Sequence, residues 1–207
     1  DFVKFLKIVA NKFSRFYIFV IRGTPMMVQS LIFYYAIFNL FKRTGMSVTE
    51  INRVWSLFIS GLVTVSLNST AYLAEVLRGG ILAVDAGQME AARSLGMTHW
   101  QAMRRVVFPQ AIKNSLPAIG NEFIINIKDS SVLCVLGVSD LMFMTRSVAG
   151  IYYKGTECYL IAATVYLFLT YLSSLLLKAI TGRMTAPDNT KRRQGNQTVD
   201  LGLPSSN

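Results

Sequence analysis

The sequence is poor in the residues that most metal sites, redox centres and disulfide frameworks are built from. It contains one histidine, His99, and two cysteines, Cys134 and Cys158, among 207 residues. A single histidine excludes a multi-histidine metal site, and the default interpretation of His99 is an exposed structural side chain. The cysteines lie in or beside apolar segments and match no metal or redox spacing. We therefore interpret both as small buried hydrophobic residues.

Sequence patterns for catalysis and for secretion are also absent. No G-x-x-x-x-G-K-[ST] phosphate loop occurs in the chain, so we do not expect it to bind ATP by that route. No serine, histidine and carboxylate are placed for nucleophilic catalysis. The first residues lack the basic segment and apolar core of a cleavable signal peptide. We expect neither an enzyme activity nor a cofactor in this chain by itself.

Charged residues are scarce, and apolar residues take their place. Charged residues make up 15% of the chain, hydrophobic residues make up 52%, and the mean hydropathy is +0.41. This composition is too apolar for an ordinary soluble domain and is typical of a small polytopic membrane protein. We predict an all-α fold with membrane spans at about residues 25–42, 54–78, 114–138 and 157–178.

The basic residues favour a membrane topology over nucleic-acid binding, although the net charge is +10. If the N-terminal segment is cytoplasmic, most lysines and arginines fall on the cytoplasmic side of the spans. The outer side then holds only Lys42, Arg43, Arg53, Arg146 and Lys154. This asymmetry agrees with the positive-inside rule. It predicts that residues 85–109 and the C-terminal tail lie in the cytoplasm.

Residues 85–109 form a polar stretch between apolar segments, with the sequence DAGQMEAARSLGMTHWQAMRRVVFP. Asp85 and Thr98 are each followed by a glutamine three residues later, which predicts two capping boxes. Gly96 stands where a helix C-terminus favours a left-handed residue. Pro109 is predicted to open a new helix. The stretch therefore predicts two short helices joined at a glycine.

Two signals concern the ends and the continuity of the spans. Thr24 is predicted to cap the first span, with Pro25 at its first helical position. Pro117 and Gly120 lie inside the third span, which predicts a kinked or broken helix.

The polar stretch resembles the EAA signature of ABC importer permeases. Glu90-Ala91-Ala92 is followed at the family spacing by Gly96 and then by Val106-Val107-Phe108-Pro109. Further blocks, in order along residues 22 to about 180, resemble the polar amino acid branch, which includes permeases of the histidine, glutamine and arginine type. They are Arg22-Gly23-Thr24-Pro25, Ala71-Tyr72-Leu73-Ala74-Glu75, Arg78-Gly79-Gly80-Ile81, Asn121-Glu122-Phe123-Ile124 and Lys128-Asp129-Ser130-Ser131.

The resemblance implies a helical bundle of the type I importer permease, or MetI-like, kind over residues 22–182. The composition of residues 1–21 directly predicts an interfacial amphipathic helix. By resemblance they match the cytoplasmic end of the family's first membrane helix and the segment after it, so that most of that helix would be lacking. Residues 183–207 are polar and without periodicity, which predicts a disordered cytoplasmic tail.

The implied function is that of a permease subunit, in the cytoplasmic (inner) membrane, of an ATP-driven importer for polar amino acids. The implied partners are a second permease of the same or a similar kind, two ATPase subunits that hold ATP and Mg²⁺, an extracytoplasmic binding protein and the lipid bilayer, with no nucleic acid. The ATPase-coupling residues would be Glu90, Ala91, Ala92, Gly96 and Pro109. Small residues at positions 91 and 92 would let a partner approach the backbone. The alternative is a loop that merely connects spans.

Polar residues of the second and third spans form a candidate substrate path, because charged groups inside a membrane usually face protein or a water-filled cavity. Glu122 and Asp129 are seven residues apart and share a helix face, as do Asn121 and Lys128. Such groups would suit a zwitterionic amino acid. Alternatively they serve helix–helix contacts, or Lys128 and Asp129 form a structural ion pair. The candidates are Asn68, Ser69, Thr70, Tyr72, Asn121, Glu122, Lys128 and Asp129.

Two other classes of function remain as alternatives. One is an ion-coupled secondary transporter or a channel without an ATPase partner, in which the helix pair of residues 85–109 would lack a purpose. The other is a membrane anchor in a non-transport complex, which would not need polar groups in three spans.

Overall fold

The structure is a computed structural model that describes residues 2–184, with side chains described for residues 4–182. Within this range every regular element is a helix, and no strand is present, which confirms the predicted all-α class. The tail predicted over residues 183–207 lies outside the described residues, apart from the backbone of its first two positions.

Within residues 2–184, nine α-helices follow one another with short connections. They are α1 (Phe2–Gly23), α2 (Met26–Arg43), α3 (Val48–Val54), α4 (Leu57–Leu82), α5 (Ala86–Ser94), α6 (His99–Ala102), α7 (Phe108–Asp129), α8 (Leu141–Tyr152) and α9 (Gly155–Met184). A π-helical turn, Met103–Val107, joins α6 to α7, and a 3₁₀ helix, Ser130–Leu136, follows α7.

Helices α4 and α9 are each long and apolar enough to cross a membrane. Two further pairs reach that length and composition only together. Helices α1 and α2 are bent by 113° relative to each other, and the helical run His99–Leu136 is bent by 53° relative to α8. The described residues therefore hold two spans, or up to four if each bent pair counts as one.

The centre of the bundle is the contact between α4 and α7, and α1, α2 and α9 pack around these two helices. Gly80 of α4 lies against Ala111 and Ser115 of α7, and a Cβ added at Gly80 would lie 2.7 Å from the carbonyl oxygen of Ala111. The Ser115 hydroxyl donates a hydrogen bond to the carbonyl oxygen of Val76 at 3.4 Å. Small side chains thus let the two backbones approach closely, as is common between membrane helices.

The bend between α1 and α2 is held by the buried side chain of Gln29. Its Nε2 atom donates to the carbonyl oxygens of Ile21 at 2.7 Å and Thr24 at 2.9 Å. The prediction that Thr24 caps α2 is wrong, because its hydroxyl donates to the carbonyl oxygen of Val20 at 2.8 Å. Pro25 occupies the N-cap position without a side-chain cap bond. At this sharp bend Thr24 satisfies a free carbonyl at the end of α1 instead.

Pro109 lies in the first turn of α7, as predicted, although α7 directly continues the helical run of α6. Helix α6 continues without interruption through Met103–Val107 into α7. A proline ring clashes with the carbonyl group four residues earlier in a regular α-helix, here that of Arg105. The wider π turn covers this residue, so we attribute the accommodation of Pro109 to it.

The predicted break in the third span falls later than Pro117 and Gly120. Helix α7 runs through both residues to Asp129, and the helical run ends only after the following 3₁₀ helix, at Gly137, which has a φ of +95°. Gly120 serves close packing, because a Cβ there would collide with the Leu177 side chain of α9. A glycine in this segment therefore marks a helix contact and not a break.

Helices α3 and α8 were not predicted, although each begins at a recognisable cap. The Ser47 hydroxyl accepts a hydrogen bond from the backbone N–H of Glu50, and the Glu50 carboxylate accepts one from the backbone N–H of Ser47. Bonds from the Ser47 backbone and hydroxyl lower the pKa of Glu50. At α8, the Asp140 carboxylate accepts from the Phe143 N–H at 2.7 Å. Both caps follow the ordinary rule for helix starts.

Candidate functional site

A cavity of about 260 Å³ lies where the start of α2 meets α4 and α7. Four of the eight predicted substrate-path residues line it, two from α4 and two from α7. Glu122 and Asp129 lie on one face of α7, as their spacing predicts. The lining residues are Thr24, Pro25, Met26, Asn68, Tyr72, Glu122, Ile125 and Asp129.

The other four predicted residues do not line this cavity. Ser69 accepts a hydrogen bond from the Asn126 Nδ2 atom at 2.8 Å and so joins α4 to α7. The Thr70 hydroxyl donates at 2.7 Å to a carbonyl oxygen one turn earlier in its own helix. Asn121 and Lys128 are exposed. No ion pair between Lys128 and Asp129 is present among the side chains of residues 4–182.

The structure adds Gln29 and the turn at residues 24–26 to the predicted set. Asn68 Nδ2 donates to Gln29 Oε1 at 3.2 Å, and the same Gln29 side chain holds the bend between α1 and α2. Gln29 thereby connects that bend to a residue of the cavity wall. The sequence feature that could have identified Gln29 is that it is a single glutamine near the start of an uncharged, mostly apolar span.

Beside the cavity, the ring of Tyr72 is held by a cation–π contact. The Arg22 guanidinium carbon lies 5.2 Å from the ring centroid, and its Nη1 atom lies 3.9 Å from the Glu75 carboxylate. Arg78 donates to the same Glu75 oxygen at 2.8 Å and 3.1 Å. Tyr72 also lines a second cleft between α1 and α4. Its ring is therefore part of the wall between the two spaces.

The polar stretch folds into two short helices with a tight turn between them. Gly96 has a φ of +82°, as predicted for a left-handed C-terminal residue. At α6, the Thr98 backbone N–H donates to Gln101 Oε1 at 2.9 Å, and the Gln101 N–H donates to the Thr98 hydroxyl at 3.3 Å. The second predicted capping box is therefore confirmed.

The first predicted capping box is only half formed. Asp85 caps α5 by accepting from the Gly87 N–H at 2.7 Å. Gln88 does not return the bond, because its Oε1 atom accepts from Gln110 Nε2 of α7 at 3.3 Å. This contact links α5 to the start of α7, which the local sequence pattern could not reveal.

Most of the predicted coupling residues are exposed. Glu90, Ala91, Gly96 and Pro109 face outward, whereas Ala92 is only 4% exposed and packs within the protein. Ala92 thus contacts neighbouring parts of the protein itself, and the approach of a partner at this position stays a prediction.

Two large apolar side chains, which were not predicted as coupling residues, stand out at the turn. Leu95 is 82% exposed and Trp100 is 70% exposed. Such side chains inside a polar stretch are the signal that could have identified them, since exposed apolar groups rimmed by polar residues mark interaction surfaces.

A protein-family model described as "binding-protein-dependent transport system inner membrane component" matches residues 4–186. The chain is 37% identical to the probable amino-acid permease protein YxeN of Bacillus subtilis, over 88% of this chain and 78% of that protein. It is 34% identical to the glutamine transport system permease protein GlnP of Escherichia coli, over 85% of this chain and 76% of that protein. It is also similar to a crystal structure of an amino acid ABC transporter with histidines, with a TM-score of 0.72 and 44% sequence identity. This similarity covers 88% of this chain and 78% of the chain in that structure.

Proposed function

The chain belongs to the family of binding-protein-dependent transport system inner membrane components, and on that premise we propose that it carries polar amino acids through the cavity between α4 and α7. As a permease subunit of an ABC importer, it relies on partner ATPase subunits for ATP hydrolysis. The observation that carries the proposal is the meeting of Asn68, Tyr72, Glu122 and Asp129 in one cavity. Family membership disfavours an ion-coupled transporter, a channel or a membrane anchor.

The chemistry of the cavity suits a solute with an amino group. Glu122 and Asp129 supply two carboxyl groups, and among the described residues no lysine or arginine lines the space. A positively charged ammonium group of a substrate would be favoured there, because it would be attracted by the two carboxylates. Asn68 and Tyr72 offer an amide and a hydroxyl to the substrate's remaining polar atoms. The permease names of the relatives support amino acids as the substrate class.

A direct mechanical connection joins the exposed turn to the cavity. The helical run from His99 through the π turn to Asp129 is unbroken. Trp100 and Glu122 therefore lie on one continuous helical segment, about 30 Å apart along its axis at 1.5 Å per residue. A partner ATPase that docks on Leu95 and Trp100 and moves this turn would also displace the wall of the cavity. Coupling of this kind needs two states that the ligands stabilise differently.

The remaining assembly follows from the same function. A second permease, of the same or a similar kind, would complete the translocation unit, and an extracytoplasmic binding protein would deliver the amino acid. We call the turn between α5 and α6, with Leu95 and Trp100, the docking turn. The surplus of basic residues on this side of the membrane supports a cytoplasmic position for it.

The first test is co-purification with the partner ATPase from membranes, comparing the native chain with Gly96→Asp. A side chain at a φ of +82° strains the backbone, and the new carboxylate enters the docking surface. We expect the native chain to retain the ATPase and the variant to lose it, together with substrate-stimulated ATP hydrolysis.

Gly45→Asp is the matched control. Gly45 has a φ of +88°, has open space around it, and lies at the opposite end of the bundle, between α2 and α3. It should cause comparable strain without loss of the ATPase. Equal retention of the ATPase by the native chain and Gly96→Asp would refute the docking role.

A further inference from the structure

A second cleft, of about 500 Å³, lies between α1 and α4. We call it the α1–α4 cleft. On the α1 side it is lined by Arg15, Ile18, Phe19 and Arg22, and on the α4 side by Tyr72 and Glu75. Among the described residues, Tyr72 alone lines both this cleft and the cavity between α4 and α7.

The α1–α4 cleft carries an excess of positive charge. The single carboxylate of Glu75 is shared by Arg22, at 3.9 Å, and Arg78, at 2.8 Å. Arg15 has no carboxylate partner among the described side chains. The two guanidinium groups that line the cleft, those of Arg15 and Arg22, therefore face one carboxylate that Arg78 also binds, and an anion in the cleft would complete the local charge balance.

The surroundings of the α1–α4 cleft show what kind of anion fits. Phe13, Phe16 and Phe19 of α1 are all exposed, and the same helix carries exposed Lys7 and Lys12. Exposed aromatic residues mixed with lysines on one helix are typical of a segment that lies at the boundary of headgroups and acyl chains. The 113° turn between α1 and α2 agrees with an α1 that does not follow the direction of the span. Basic pockets beside membrane helices on the cytoplasmic side are where anionic lipid headgroups bind.

We propose that the α1–α4 cleft binds the phosphate group of an anionic phospholipid. Arg15 and Arg22 would donate hydrogen bonds to the phosphate oxygens, because the planar guanidinium group matches phosphate geometry. Ile18 and Phe19 would contact the upper part of an acyl chain. Arg22 also stacks on Tyr72, so the lipid would lie next to the wall of the substrate cavity.

The test is native mass spectrometry of the complete complex, purified with its partner subunits and supplied with phosphatidylglycerol and phosphatidylcholine. We expect the native complex to retain phosphatidylglycerol selectively. Arg15→Gln should reduce that retention about five-fold, the factor equivalent to about 1 kcal/mol per basic side chain near an anionic membrane. Arg15→Lys, which keeps the charge, should recover part of the retention.

Lys7→Gln is the matched control, because Lys7 is exposed on the same helix and does not line the α1–α4 cleft. It should retain phosphatidylglycerol as the native complex does. The proposal is overturned if Arg15→Gln retains as much of this lipid as the native complex, or if Lys7→Gln loses as much as Arg15→Gln. It is also overturned if excess inorganic phosphate displaces the lipid, since the cleft would then be a site for a free anion.

Lipid retention and transport are measured by independent assays on the same preparations. Amino-acid-stimulated ATP hydrolysis by the same preparations reports on the proposed function, whereas the mass of bound lipid does not depend on turnover. Loss of one signal with retention of the other therefore shows which proposal has failed. Size-exclusion chromatography of each variant identifies any complex that has not assembled.

Discussion

At the scale of single residues, the candidate substrate cavity depends on which polar side chains of α4 and α7 face each other. Glu122 lines the cavity, while its neighbour Asn121 is exposed and does not. A difference of one position, about 100° around a helix, separates a candidate substrate contact from a surface residue. This neighbour pair allows a controlled test of the cavity.

We predict that Glu122→Gln weakens the apparent affinity for the transported amino acid by about ten-fold or more. The change removes a carboxylate from the cavity but keeps the size of the side chain, and a hydrogen bond to a charged group contributes about 1.5–3 kcal/mol. Uptake into proteoliposomes at varied substrate concentration measures this as a higher KM. Asn121→Ala should leave KM near the native value. An unchanged KM for Glu122→Gln would exclude that carboxylate from substrate recognition.

At the scale of helices, the contact between α4 and α7 depends on small residues at the point of closest approach. Gly79 and Gly80 are adjacent in α4, but only Gly80 lies against α7, and Gly79 has no atom near its missing Cβ. A methyl group at Gly80 would meet the backbone of Ala111, which cannot rotate away as a flexible side chain could.

We therefore predict that Gly80→Ala destabilises the bundle by about 1–3 kcal/mol, the usual cost of overpacking. Gly79→Ala should be neutral or slightly stabilising, because alanine is favoured over glycine within a helix. The two variants are compared by heating the purified permease in detergent and measuring, at each temperature, how much of it still elutes as a monodisperse peak. Equal midpoints for both would show that α4 and α7 do not pack as closely as described.

At the scale of the whole molecule, the orientation in the membrane decides which partner meets which surface. The positive-inside rule predicts that the turn between α5 and α6 is cytoplasmic and that the connection between α8 and α9 faces outward. Both regions offer a highly exposed residue, Leu95 in the first and Tyr153 in the second. Accessibility from the two sides of the membrane can therefore be compared directly.

We predict opposite labelling of Leu95→Cys and Tyr153→Cys by a membrane-impermeant maleimide added to intact cells. The background would be a chain in which Cys134 and Cys158 are replaced by serine. Tyr153→Cys should react from outside, whereas Leu95→Cys should react only after the membrane is opened. Labelling of Leu95→Cys in intact cells would place the docking turn on the wrong side for an ATPase.

The local sequence determined most of what depends on neighbours along the chain. Thr98 and Gln101 form their capping box, and Gly96 adopts the left-handed conformation, because a cap involves only residues within one helical turn. The all-α class also follows from composition and the lengths of apolar segments. The shared face of Glu122 and Asp129 follows from helical periodicity alone.

Only the tertiary structure decided which of these groups meet. Gln88 bonds Gln110 instead of completing a cap, Ser69 bonds Asn126 instead of facing the cavity, and Asn68 of α4 bonds Gln29 of α2. Each of these contacts joins side chains from different helices, and their geometry depends on how the helices rotate and cross. Periodicity along one helix carries no information about that rotation, so the sequence identified the candidate groups and the packing of α2, α4 and α7 selected among them.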